Sequence, residues 1–200
     1  MESFHFMKQK KFDEAKAHLE KGLKEAEIAK DLTLQAIFNS SLGVLFKLKK
    51  EFRKSWKYYE TAEKLMPEDL SLKLISSRLL VDYFGQYDTV LKKTEKVLSL
   101  VKSTDPLTHV AQTIRGLAYL RKGEKKKAVD CLMLSADFGG MKTAANLDLQ
   151  LVSELIRKKI DRQACVAFLN KSLQLAKSNK EEKFVAIIGK LVALVEKMGT

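Results

Sequence analysis

The chain has 200 residues and a formal net charge of +12, with 46% hydrophobic residues, 31% charged residues and two prolines. That length is enough for one domain with a sizeable core, and a composition led by Leu, Lys, Ala and Glu with so little proline is that of an all-helical protein. No apolar run reaches the ~18 residues of a membrane span, and the opening "MESFHFMKQKKFDEAK" turns charged too early for a signal peptide. Cys131 and Cys165 form no CxxC pair, and His5, His18 and His109 lie scattered. A disulfide scaffold and a clustered metal site are therefore not expected. Buried reduced thiols suit a reducing compartment, so a soluble, cytoplasmic protein is expected.

The chain reads as successive helix pairs. Residues 3–30 supply a stub and then a good helix, "KKFDEAKAHLEKGLKEA", with Phe12, Ala15 and Leu19 on one face. Asp31 and Thr33 offer the next start. Residues 32–67 pair "AIFNSSLGVLFKLKKEF" with "KEFRKSWKYYETAEKL", the latter carrying Phe52, Ser55, Tyr59 and Ala62. "MPED" then stops one helix and opens another, with Pro67 expected near the first turn. Residues 70–103 end in "GQYDTVLKKTEKVLSL", with Tyr87, Val90 and Val97. Pro106 opens 106–138, where "HVAQTIRGLAYLRKGE" precedes "GEKKKAVDCLMLSAD", and Gly139-Gly140 is the expected stop. Residues 142–177 contain "KIDRQACVAFLNKSLQLA", with Ala164, Phe168 and Ser172. A strongly apolar helix within 180–198 is expected to cap the stack.

The pairs repeat. Ala15, Ser55, Val90, Ala128 and Ala164 hold equivalent small or apolar positions at spacings of 40, 35, 38 and 36 residues. Gly43 stands 12 residues before Ser55, and Gly116 stands 12 before Ala128. Phe46 and Tyr119 each follow their glycine by three. A period of this size in paired helices is the signature of a solenoid.

The run Leu42, Gly43, Phe46, Phe52, Ser55, Tyr59, Ala62 and Pro67 resembles the tetratricopeptide repeat (TPR), whose period is about 34 residues. Gly116, Tyr119, Ala128 and Leu132 repeat much of it without the closing proline. Residues 71–104 depart from it, with Ser77-Arg78 in place of Leu-Gly, and 144–178 keep Ala164 and Phe168 but little else. The resemblance implies an all-α, right-handed α-solenoid of antiparallel helix hairpins with a C-terminal capping helix, in a single domain over 1–200.

In the family's register the first helix of each hairpin lines a concave face. The matching positions are Ile37, Ser40, Val44 and Lys47, then Leu72, Ile75, Leu79 and Tyr83, then Val110, Thr113, Leu117 and Arg121. Most are apolar, as a groove for a partner's helix or extended peptide requires. The groove is equally open to being filled by the capping helix or by a second copy. The Lys-Asn-Arg carboxylate clamp of chaperone-binding modules is absent, with Val44, Ile75, Thr113 and Leu117 among its positions.

Basic residues gather at the turns inside the hairpins. Lys8, Lys10 and Lys11 form the first group, and Lys47, Lys49, Lys50, Arg53 and Lys54 the second. Arg121, Lys122, Lys125, Lys126 and Lys127 form the third, and Arg157, Lys158, Lys159 and Arg162 the fourth. Stacked turns would make a basic edge suited to an acidic partner, nucleic acid or another polyanion. A solvated lysine-rich edge is the plainer reading. Nucleic acid is the less favoured partner, because few aromatics lie among the charges to stack on bases.

No P-loop, GxGxxG, HExxH or GxSxG motif occurs. No cofactor and no catalysis are expected. The expected activity is that of a non-catalytic scaffold or adaptor holding a protein or peptide partner, alone, as a homo-oligomer or as part of a larger chain.

Overall fold

The computed structural model describes residues 2–138 and 140–198. Gly139, half of the expected Gly-Gly stop, lies outside the described residues, as do Gly199 and Thr200. The chain divides into two compact units, residues 1–85 and 86–200. Among the described residues every regular element is helical.

The first unit holds α1 (Glu2–Lys8), α2 (Phe12–Ile28), α3 (Leu32–Leu48), α4 (Phe52–Leu65) and α5 (Leu70–Leu79), the last running on as a π-helix, Leu80–Phe84. The second holds α6 (Tyr87–Leu98), α7 (Pro106–Arg121), α8 (Lys125–Ser135), a 3₁₀ turn at Ala144–Asn146, α9 (Gln150–Arg157), α10 (Arg162–Ser178) and α11 (Glu182–Glu196). The expected hairpin 70–103 thus has its first helix in one unit and its second in the other. The expected first helix of 142–177 shrinks to the 3₁₀ turn and the eight residues of α9.

Aspartates set the helix starts. Asp31 accepts from the Leu34 N–H at 2.9 Å, Asp69 from the Leu72 N–H at 3.0 Å, and Asp105 from the Leu107 N–H at 2.8 Å. Each satisfies one of the backbone donors that a helix leaves unpaired at its first turn. Pro106 follows Asp105 as the first residue of α7. Pro67 departs from expectation. It sits in the turn two residues ahead of the Asp69 cap, where its carbonyl accepts from the Lys73 ammonium.

Helix ends follow one device that uses an unusual residue. Lys10, Lys30, Lys50, Lys159 and Lys180 all adopt left-handed backbone, with φ between 53° and 60°. In each case the lysine N–H bonds the carbonyl three residues back, and the next N–H reaches five residues back. At Lys50 these bonds run to the Lys47 and Phe46 carbonyls, at 3.0 and 2.9 Å. Glycine usually takes this position, and Gly123 does so after α7 at φ 84°.

In the first unit the core gathers Met7, Ala15, Leu19, Leu42, Leu45 and Phe46 from α1, α2 and α3. A second cluster joins Ala36, Ala62 and Leu72 from α3, α4 and α5. In the second unit Phe168 of α10 is the largest fully buried side chain. It lies edge-on to Phe138 at 5.7 Å and near-parallel to His109 at 6.3 Å.

Candidate interaction surface

The hairpins bring their second helix close through the glycine and the small residue. In the first unit, Ser55 of α4 is fully buried, and its hydroxyl donates to the Gly43 carbonyl of α3 at 2.8 Å. A Cβ added at Gly43 would lie 2.5 Å from the Tyr59 ring. In the second unit, a Cβ at Gly116 would lie 2.3 Å from Leu151 of α9 and 3.1 Å from Cys131 of α8.

The positions expected on an open face divide between surface and core. On α3, Ile37 is 52% exposed, while Ser40, Val44 and Lys47 are half-buried. Beyond α4, Ile75 and Tyr83 are exposed, but Leu72 and Leu79 are buried. Leu72 packs with Ala36 and Ala62. On α7, Thr113 and Leu117 are buried and Val110 is half-buried, and α9 packs against this helix. The Arg121 guanidinium bonds Glu154 of α9 at 3.0 Å. Leu72, Leu79, Thr113 and Leu117 therefore belong to the packing of their units, a correction to the sequence reading. Tyr83, expected on the first helix of its pair, lies in the π-helix that continues α5 and stacks on Phe52 at 3.6 Å. Trp56, which the repeat pattern leaves unassigned, lies 6.3 Å from the ring of the neighbouring Phe84.

The basic edge also divides. In the first unit, Glu51 bonds Lys54 at 2.5 Å and Lys49 at 3.6 Å, and the Lys54 ammonium stands 5.4 Å from the Phe46 ring centre. In the second, Glu124 bonds Lys127 at 2.6 Å, and Lys127 stands 5.2 Å from the Tyr119 ring centre. Lys122 bonds Asp88 at 2.5 Å and lies 3.9 Å from Glu124. The Lys54 bond holds the Glu51 carboxyl below the usual range, and the Asp88 bond raises the Lys122 ammonium. Equivalent side chains thus recur 73 residues apart: the aromatic pair Phe46 and Tyr119, and the identical pairs Lys49 and Lys122, Glu51 and Glu124, Lys54 and Lys127. Lys49, Lys54, Lys122 and Lys127 of the expected basic edge are charge-paired. Lys50, Arg53, Lys125, Lys126, Arg157, Lys158 and Lys159 are exposed, and none forms an ion pair among the described residues. Arg162, also exposed, directs Nε to the Val195 carbonyl at 3.3 Å.

Each unit has a cleft between its second-type helices. One of about 400 Å³ lies between α2 and α4 over Asn39 and Phe46, and another of about 480 Å³ lies between α6 and α8 over Gln112 and Tyr119. Asn39 and Gln112, like Phe46 and Tyr119, are 73 residues apart, so the clefts are equivalent.

His109 carries no motif in the sequence. It is buried, with Nδ1 2.9 Å from the Ser135 carbonyl and Nε2 accepting from the Asp148 N–H at 2.8 Å. This is the neutral tautomer with Nδ1 protonated, and burial lowers the imidazole pKa. It ties α7 to the end of α8 and to the segment before α9. Cys131 and Cys165 are free and buried, and burial pushes both thiols up to about 11. Among the described residues no three His, Cys, Asp or Glu side chains gather to hold a metal, and no helix is long and apolar enough to cross a membrane.

Helices paired across short turns, with Ser55 bonded to Gly43 in one unit and Gly116 set close against α8 and α9 in the other, define the fold as an all-α helical repeat of the TPR-like α-solenoid class. The chain is similar to a solved structure, the MamA RS-1 ArsTM double mutant, a TPR-like protein, with a TM-score of 0.59. The match covers 90% of this chain and 93% of that one at 17% identity, a likeness of fold alone. No family model matches the chain, and no curated protein matches it.

Proposed function

We propose that the protein is a non-catalytic interaction scaffold that holds an apolar peptide or helix of a partner protein. The observation that carries this reading is the exposure of Ile37 and Ile75 on the first helices of their pairs. Ile37 is 52% exposed, and Leu32, Leu34 and Leu48 of the same helix are exposed too, while Ala36, Leu42, Leu45 and Phe46 are buried. Ser40, Val44 and Lys47 continue the surface along α3. Apolar anchors of this kind bind through area and shape, so affinity should depend little on salt. The experiment measures binding of candidate partner peptides by anisotropy at 50 and 300 mM salt. Ile37→Asp and Ile75→Asp should each weaken binding at least tenfold without lowering the melting temperature. Unchanged affinity in both variants overturns the reading.

A second reading has its own observation. Arg157, Lys158 and Lys159 form an exposed run without an ion pair among the described residues. On this reading the edge docks a polyanion. A single-stranded RNA probe then binds with affinity that falls steeply as salt rises, and Arg157→Ala with Lys158→Ala reduces that slope. Salt-insensitive or absent binding excludes it.

A further inference from the structure

Gly43, Gly116 and Gly189 recur at an interval of 73 residues. At the first two, a neighbouring helix explains the missing side chain. Gly43 faces Tyr59 of α4, and Gly116 faces Cys131 of α8 and Leu151 of α9. A glycine inside a helix costs ~1 kcal/mol relative to alanine, and close helix contact offsets that cost in α3 and α7. At Gly189, an added Cβ would meet nothing within 4 Å. Helix α11 therefore keeps the register of a first hairpin helix, but among the described residues no second helix lies on it.

The rest of α11 agrees. The helix packs on α10 and α9 with Ile188 and Val195 fully buried. A different face carries Glu182, Val185, Gly189, Val192 and Glu196, spaced i, i+3, i+7, i+10 and i+14 and so aligned along one side. Val185 and Val192 are only half-buried, and the other three are exposed. Val185 and Val192 stand where Asn39 and Phe46 flank Gly43.

We propose that this face of α11 docks one amphipathic helix of a partner protein. That helix lies antiparallel on α11, as α4 lies on α3. It presents alanine or serine to Gly189, a large apolar residue four positions on, and basic residues toward Glu182 and Glu196. Two arguments select this occupant. The face continues the register of two glycines that neighbouring helices cover, Gly43 under α4 and Gly116 under α8 and α9. Its two ends are acidic, so a basic helix is complementary. A second copy of α11 is not: antiparallel pairing about Gly189 would set Glu182 of one copy against Glu196 of the other. The site is separate from the Ile37 surface.

The probe is a fluorescein-labelled peptide of residues 51–66, the α4 segment, titrated with the whole chain by anisotropy. Saturable binding is expected, weakened at least tenfold by Gly189→Leu and by Ser55→Leu in the peptide. Glu182→Lys with Glu196→Lys should weaken it several-fold. Gly189→Leu should leave the melting temperature of the free protein unlowered, since nothing lies within 4 Å of an added Cβ, and this separates a loss of binding from a loss of folding. Absence of saturable binding, or binding indifferent to Gly189→Leu, overturns the proposal. So does a dimer in sedimentation that Gly189→Leu dissociates, because the occupant is then a second copy.

Discussion

The Ser55 hydroxyl donates to the Gly43 carbonyl across the α3–α4 contact at 2.8 Å, with Ser55 fully buried. The bond spans the 12-residue interval that marks the repeat. It also gives serine a reason to stand where the equivalent positions carry alanine or valine, because a buried hydroxyl needs an acceptor. Ser55→Ala should cost about 1 kcal/mol. The measurement is the urea midpoint at constant m-value.

Glycine-to-alanine exchange at three equivalent positions separates crossing from exposure. At Gly43 the new methyl would strike the Tyr59 ring, and at Gly116 it would strike Leu151. Both variants should lose about 1–3 kcal/mol through overpacking. At Gly189 the space is open, and the same change should gain up to about 1 kcal/mol of helix propensity. Equal signs at all three positions in urea melts would contradict the register.

The left-handed lysines invite the reverse exchange. A side chain at positive φ is disfavoured by about 1 kcal/mol, and glycine is not. Lys50→Gly and Lys159→Gly should each stabilise by about 0.5–1 kcal/mol. Gly123→Ala, at φ 84° with nothing near its Cβ, should destabilise by about 1 kcal/mol from the backbone alone. Thermal melts of the three variants check this.

His109 makes stability depend on pH. Burial lowers its pKa in the folded chain below the ordinary 6.5. Well above pH 6.5 both folded and unfolded chains hold it neutral, and its contribution is complete. As pH falls below 6.5 the unfolded chain gains a proton that the folded chain resists, so stability declines toward the folded pKa. Asp148, close to the ring, opposes part of the shift. The drop in urea midpoint from pH 7.5 to 5.5 should be smaller in His109→Phe, which retains a ring beside Phe168. An equal drop would assign the pH dependence elsewhere.

Cys131 and Cys165 should be unreactive. Burial excludes reagent, and a thiol pKa of about 11 leaves almost no thiolate at pH 8. A chromogenic disulfide reagent should titrate neither thiol in the native protein and both in 6 M guanidinium.

Much of the hairpin architecture is legible in the residues, because it depends on local rules. Aspartates at 31, 69 and 105 cap helices wherever they stand. The repeated spacing of Gly43 to Ser55 and Gly116 to Ala128 reports a close helix contact. What local rules do not carry is burial at positions that a distant segment covers. Leu117 reads as a groove residue on α7, yet α9, more than thirty residues onward, packs against its helix and Leu151 fills the space over Gly116. His109 reads as an isolated histidine, and only folding brings Ser135, Phe138, Asp148 and Phe168 around it.

The sequence alone determined most of the helices and the 12-residue spacing from Gly43 to Ser55, because each follows from side chains close together in the chain. The tertiary structure decided which first-helix positions stay open, which lysines are neutralised and which glycine lacks a neighbour. Exposure is a property of everything that packs around a residue, and Gly43, Gly116 and Gly189 differ only in that.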